Sequence, residues 1–346
     1  MTPPPGFDPD AAAPPGSGLY GLPHRPDEAK VVVVPVPFEA TCSYGGGTAS
    51  GPAALLKASR QVDLFDVETG RPYDGGIAML EEPAEVAGWN RDARALAGPI
   101  IAQGGAPEGS PLRASLERVN ALCDRMNDWV HATCRQWLER GKLVATVGGD
   151  HSCAFGAIRA HAEKFPGLGV LHLDAHADLR AAYEGFTWSH ASIMFNVVER
   201  LPGVHRLVQV AIRDVGEAEA ELIDTRDDRI TTFYDADLAL QKHDGVPWNR
   251  MVDRVVEKLP EQVYLSFDID GLDPTLCPST GTPVPGGLSF QEAVALVAGV
   301  VRSGRRIVGL DLMEVAPGPD GGEWDGNVAA RLLYKMIGYA LKSQRR

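Results

Sequence analysis

The chain has 346 residues, 44% hydrophobic and 23% charged, a composition that gives a globular protein enough apolar material for a large core. Its formal net charge of −13 argues against nucleic acid and anionic membrane surfaces as partners. No apolar run approaches the roughly 18 residues of a membrane span, and the N-terminus lacks the charged-then-apolar order of a secretory signal. Cys42, Cys123, Cys134, Cys153 and Cys277 are scattered with no C-x-x-C, the usage of reduced thiols in a cytoplasmic protein.

Residues 1–30 are rich in Pro, Gly and Ala and read as a flexible arm, free to dock on the body or on a neighbouring subunit. The run Val31-Val32-Val33-Val34 is a strand buried on both faces, which points to a parallel sheet. A loop with Gly45-Gly46-Gly47 follows, either facing a ligand or simply joining strand to helix, and Pro52 opens a helix to Ser59. Residues 88–111, mixed and rich in Gly, Ala and Pro, read as an inserted loop with one short helix. Residues 114–140 form a long amphipathic helix ended by Gly141, then a strand over 143–147 runs into Gly148-Gly149-Asp150-His151-Ser152. The rhythm continues with a helix over 153–164 and a strand over 169–173. Further strands cover 206–212, 262–267 and 306–310, and a helix over 324–341 closes the chain. Strands alternating with helices specify an open, mainly parallel α/β sheet, whose ligand site lies outside the carboxyl edge. With no internal repeat and no linker after residue 30, residues 31–346 form one domain.

Chemistry collects at the strand ends. Asp174, His176 and Asp178 sit at i, i+2 and i+4 directly after a strand, and in extended backbone such residues project to one side. Asp268 and Asp270 repeat that spacing at another strand end, and His151 and Glu314 each follow a strand. His151, Asp174, His176, Asp178, Asp268 and Asp270 supply two imidazoles and four carboxylates. That is too much negative charge for one cation and suits two divalent ions bridged by carboxylates. An oxygen-rich set favours Mn²⁺ over a thiolate-type zinc site, although the affinity order leaves Ni²⁺ and Zn²⁺ open.

The stretches Gly-Gly-Asp-His-Ser at 148–152, Asp-Ala-His-Ala-Asp at 174–178, Ser-Phe-Asp-Ile-Asp-Gly-Leu-Asp-Pro at 266–274 and Met-Glu-Val-Ala-Pro at 313–317 resemble the ureohydrolases, the arginase/agmatinase family. The resemblance runs from about residue 31 to the C-terminus. It implies a three-layer α/β/α fold and a binuclear manganese centre. By that likeness Asp174 and Asp268 bridge the metals, His151 and Asp178 complete one site, and His176 and Asp270 the other. The implied reaction is attack of a metal-activated hydroxide on a guanidinium carbon, releasing urea and an amine. Guanidinium is a poor electrophile, so the chemistry needs an activated nucleophile, an orienting carboxylate and an acid for the leaving amine. Glu314 matches the family's guanidinium clamp, His190 its proton shuttle, and Thr282 its pocket loop. The other histidines, His24, His131, His161, His172, His205 and His243, read as structural or surface.

Three further readings compete. A deacetylase on a related fold uses one zinc and has no need of His176 and Asp270. An inactive relative acting as a metal-binding partner has no need of all six ligands together with His190 and Glu314. Within the family, arginase is the alternative to an agmatinase-like enzyme, as is a hydrolase of a guanidino acid or of free guanidine. Two departures weigh against L-arginine. Gly216 stands where arginases carry an Asp for the α-amino group, and Arg180 where they carry an Asn for the α-carboxylate. A missing charge-assisted bond costs about 1.5–3 kcal/mol. Arg180 could grip the carboxylate of a guanidino acid or form a structural ion pair. The resemblance alone implies a trimer or hexamer.

Overall fold

The computed structural model describes residues 7–345. In chain order the elements are β1 (Val31–Val36), α1 (Gly51–Ser59), β2 (Ile77–Met79), α2 (Ala84–Ile101), α3 (Leu112–Glu139), β3 (Leu143–Gly148), α4 (Phe155–Lys164), β4 (Leu168–Leu173) and α5 (Ile193–Arg200). They continue with β5 (Val204–Ile212), α6 (Glu217–Thr225), β6 (Ile230–Tyr234), α7 (Asp235–His243), α8 (Trp248–Glu257), β7 (Gln262–Asp268), α9 (Phe290–Arg302), β8 (Arg306–Met313) and α10 (Trp324–Ser343).

The strands form one eight-stranded, wholly parallel sheet in the order β2-β1-β3-β8-β7-β4-β5-β6. Its two faces carry separate cores. Along β1, Val31 and Val33 pack with α1, α8, α9 and α10, while Val32 and Val34 pack with α2, α3, α4 and α5. The two-residue period of an extended chain thus sorts a uniformly apolar run between two helical layers. On α3 the buried residues Val119, Leu122, Cys123, Met126, Val130, Cys134 and Trp137 recur every three or four positions, the stripe of a helix lying on a sheet. The expected α/β/α architecture with a parallel sheet is therefore the observed one. β3, β8, β7 and β4 are consecutive in the sheet, so the polar clusters at their carboxyl ends meet at one point.

Three expectations need correction. The inserted loop at 88–111 is largely helix: α2 has 18 residues. Val86, Ala93, Ala97 and Ile100 give it a buried stripe, and Pro99, in the last turn, removes a single bond from the ladder. β8 runs on through Met313, so Asp311 lies within the strand rather than after it. Two strands are additional to those expected: β2, only three residues long, and β6, whose run Ile230-Thr231-Thr232-Phe233-Tyr234 carries a β-branched and aromatic strand signal that sequence reasoning missed.

Of the 1–30 arm, residues 1–6 lie outside the described residues, but the later part is docked. Leu19, Tyr20 and Leu22 are buried. Tyr20 donates its amide to Ser59 Oγ and its hydroxyl to Ala330 O, each at 3.0 Å, and Arg60 Nη2 donates to Ser17 O at 2.8 Å. Each large apolar side chain contributes roughly 1.5–3 kcal/mol on full burial. That offsets a backbone ordering cost of about 1–2 kcal/mol per residue over this short stretch.

Candidate active site

β3 ends in Gly148, and the chain then turns at Gly149, where a Cβ would lie 1.8 Å from Phe38 O; only glycine fits. The following turn, His151–Ala154, is capped by Asp150, whose Oδ1 accepts from Ser152 N at 3.1 Å. This aims His151 across the end of the sheet. At the end of β7, Asp268 Oδ1 accepts from Asp270 N at 2.9 Å, which holds both aspartates over the same edge. Asp174 and His176 follow β4 directly. Asp178 reaches the cluster through a left-handed backbone, φ 56°, rather than by continued extension. Glu314 follows β8 with φ 61°. Two non-glycine residues in this strained region cost roughly 1–3 kcal/mol each, and such strain gathers at functional sites.

The six candidate ligands are together and fall into two groups. His151 Nδ1 lies 3.0 Å from Asp174 Oδ2, 3.2 Å from Asp268 Oδ2 and 3.5 Å from Asp178 Oδ2. His176 Nδ1 lies 3.1 Å from Asp270 Oδ2 and 3.4 Å from Asp174 Oδ1. Asp174 therefore gives one oxygen to each group. On its far side, His151 Nε2 is 3.0 Å from Ser266 Oγ, and that hydroxyl donates to Asp311 Oδ1 at 3.0 Å. With its hydroxyl hydrogen committed to Asp311, Ser266 accepts from His151 Nε2–H. The Nδ1 lone pair then faces three carboxylates, an arrangement that requires a cation or a proton between them.

All of these carboxylates except part of the His176 surroundings are withdrawn from water: Asp174, Asp178, Asp268, Asp270 and Glu314 are at most 4% exposed. Among the described residues, none of the five forms an ion pair with a Lys or Arg. Burial, and then Asp174, pushes the Asp178 carboxyl up. Burial, then Asp270 and Asp174, does the same to Asp268. Glu314 is raised by burial, then by Asp268 and Asp150. Burial opposes charge on His151 as well, but Asp174 and Asp268 outweigh it and raise the imidazole. A set of buried carboxylates that cannot all ionise alone, with Glu314 Oε2 left without a hydrogen-bond partner, fits a divalent metal centre.

A cleft of about 170 Å³ opens above the cluster, lined by His176, Asp178, Arg180, His190, Asp214 and Thr282 among others. His190 stands at its wall with Nδ1 3.5 Å from Thr41 Oγ1 and 3.4 Å from Ser189 Oγ. Burial, and then the charge of His176, lowers its imidazole to about 4. Glu314 is buried beside His151, its Oε1 accepting from His151 N at 3.0 Å. Arg180 is engaged: its Nε is 3.4 Å from Glu219 Oε2, and its guanidinium stacks 5.2 Å from the Tyr183 ring centre. The ion pair is the structural alternative expected for Arg180, whose side chain also lines the cleft. Asp214, with its side chain 68% exposed, is at the mouth, 4.0 Å from His176 Nε2.

Sequence reasoning missed His172. It is fully buried, and its ligand atom lies within 4.8 Å of those of His151, Asp174 and Asp178. The signal was available: His172 precedes Asp174 by two, the spacing used to link Asp174 with His176.

The Arginase family profile matches residues 29–338. The N(1)-aminopropylagmatine ureohydrolase of Thermus thermophilus is 33% identical over 315 residues, 90% of each chain. The agmatinase of Bacillus subtilis is 30% identical over 330 residues, 93% of this chain and 96% of its own length. The crystal structure of the agmatine ureohydrolase of Thermoplasma volcanium superposes with a TM-score of 0.72 at 25% identity, covering 95% of this chain and 96% of that one.

Proposed function

We propose, from the premise that this chain belongs to the arginase family, that it is an agmatinase-like ureohydrolase with two metal ions, cleaving a small guanidino compound to urea and an amine. The observation that carries this reading is Asp174, whose two oxygens serve two separate histidine–carboxylate groups in a buried acidic pocket. His151 and Asp178 would hold one ion, His176 and Asp270 the other, and Asp174 and Asp268 both. Manganese suits the oxygen-rich donors; nickel or zinc would satisfy the same residues. When bound, the ions supply the positive charge that lets water act as a nucleophile near neutral pH.

The chain's own groups do the rest. Glu314 Oε2, buried and unpartnered, would accept a charge-assisted bond from the guanidinium and fix its plane. His190, on the cleft wall, would carry a proton to the departing amine. Thr282 lines the cleft and would bound the substrate laterally. Water adds to the guanidinium carbon, the carbon–nitrogen bond breaks, and the amine leaves with the proton.

The cleft mouth favours a cationic tail over an acidic one. Arg180 has its charge balanced by Glu219, whereas Asp214 is exposed. This argues for agmatine rather than a guanidino acid. A second reading, N(1)-aminopropylagmatine, is favoured by the name of the Thermus relative, and its additional amine would pass the same carboxylate. We further propose a trimer or hexamer in the cytoplasm, testable by light scattering and by fractionation. Among the described residues no helix is long and apolar enough to cross a membrane.

The test is urea release from agmatine, N(1)-aminopropylagmatine, L-arginine, 4-guanidinobutyrate, 3-guanidinopropionate and guanidine, compared by kcat/KM. One of the first two should lead. Arginine in first place would make the chain an arginase. No urea from any of them, despite two bound ions, would point to an inactive metal-binding partner.

A further inference from the structure

His172 on β4 pairs in register with Gln209 on β5, and Gln209 with Thr232 on β6. His172 and Gln209 have no exposed surface. The orientation of the Gln209 amide is fixed at both ends. Its Nε2 is 2.7 Å from Ala177 O, which can only accept, and its Oε1 accepts from Thr232 Oγ1 at 3.0 Å. The second amide hydrogen points at His172 Nδ1, 3.0 Å away. That nitrogen must accept, so the ring proton sits on Nε2, 2.8 Å from Asp174 Oδ2. The four groups form a one-way series of donors across three adjacent strands, ending on the aspartate shared by both histidine groups.

We propose that His172 is a positioning residue, whose Nε2–H fixes the carboxylate of Asp174 and so sets how tightly both metal ions are held. The inference rests on the two-ion reading given above. It assigns His172 a role distinct from ligation. Nδ1 is taken by the Gln209 amide, and Nε2 carries the proton that faces Asp174. Partners of this kind typically alter metal affinity or activity roughly 10- to 100-fold. The cause is electrostatic and geometric together: an acceptor-only carboxylate with one oxygen pinned by a donor has fewer rotamers to lose on binding a cation.

The experiment compares wild type with His172→Phe, His172→Gln and Gln209→Leu in Mn²⁺ titrations of metal-free protein, with ions counted at saturation. Phe keeps a planar ring without a donor, Gln restores an N–H near the position of Nε2, and the Gln209 change frees the ring without altering it. Wild type and His172→Phe should both bind two ions at saturation, the variant roughly 10- to 100-fold more weakly. kcat should fall with KM for the guanidino substrate little changed. His172→Gln should recover most of the loss, and Gln209→Leu should fall between. ¹⁵N NMR of the metal-free protein should show His172 Nδ1 unprotonated. Unchanged Mn²⁺ affinity in His172→Phe, a single ion at saturation, or a proton on Nδ1 would each overturn the proposal. If His172→Phe does not fold, Gln209→Leu and the NMR measurement decide. A wild type holding fewer than two ions would overturn the two-ion reading instead, and the NMR result would still test the donor series.

Discussion

The sheet has a cavity at each end, and the larger is not the one with the chemistry. At the amino end Lys30, Lys142, Lys164, Arg306 and Arg345 surround about 560 Å³; at the carboxyl end the cleft above the acids is about 170 Å³. The lysines and arginines stay half-buried or exposed, and none forms an ion pair among the described residues. Lys142 Nζ donates to Asp27 O and Ala29 O, each at 2.6 Å, Lys164 to Leu138 O, and Arg306 to Gln344 Oε1 at 2.9 Å. These cations keep their water and serve helix ends and loop carbonyls, an inexpensive arrangement. The carboxylates at the other end have lost their water and gained no Lys or Arg, which costs several kcal/mol per ion unless a cation joins them. Volume alone would have chosen the wrong end; desolvated charge identifies the right one.

The sharpest way to break this contrast is Asp268→Ala. The acid cluster should then fail to hold at least one of its ions, and urea release should drop to background. Elemental analysis after Mn²⁺ loading checks it, and an unchanged count of two would show that the carboxylates do not need their cations. His190→Ala should come next, lowering kcat by roughly 10²–10⁴-fold with metal content intact. Metal loss in that variant would make His190 part of the centre rather than a proton carrier.

A buried histidine away from both ends sharpens the comparison. His161 donates Nδ1–H to Ala157 O at 2.7 Å and packs edge-on to Tyr264. Burial lowers its imidazole from 6.5 to about 4. Between those values the unfolded chain binds more protons, so stability rises with pH through this window and falls as pH drops below 6.5. The loss should approach about 3 kcal/mol near pH 4, at roughly 1.4 kcal/mol per pKa unit. Chemical denaturation at pH 7 and pH 4.5 should show a smaller drop for His161→Phe than for wild type. Smallest of all, Lys30→Ala combined with Arg306→Ala should change stability by no more than about 0.5 kcal/mol. A much larger change in the denaturation midpoint would mean that the amino-end cations are not merely solvated.

The legible parts of this molecule are those whose chemistry is contiguous. Asp174, His176 and Asp178 declare themselves by spacing, as do Asp268 and Asp270, and parallel strands bring those runs to one edge. What was not legible depends on neighbours far along the chain. Arg180 read equally as a grip on a carboxylate or as a structural ion pair, and the partner Glu219 that it meets lies 39 residues on. The spacing of His172 from Asp174 was legible, but not its proton, which is set by Gln209 on the next strand. In α2, Gly88, Gly98 and Pro99 masked a helical stripe of Val86, Ala93, Ala97 and Ile100, half of it alanine, too small to stand out.

β8 is the last strand to be made and lies between β3 and β7, near the middle of the sheet. A ribosome has delivered all six candidate ligands by residue 270, some 36 residues before β8 begins at Arg306. Until β8 emerges, β2-β1-β3 and β7-β4-β5-β6 are two partial sheets with open edges facing a gap one strand wide. The His176 group, drawn from β4 and β7, can assemble in that interval. The His151 group draws also on β3, which has no direct contact in the sheet with β7 or β4 and meets β7 only through β8. A chain stopped at Arg305 therefore owns every candidate ligand but lacks the strand that joins β3 to β7.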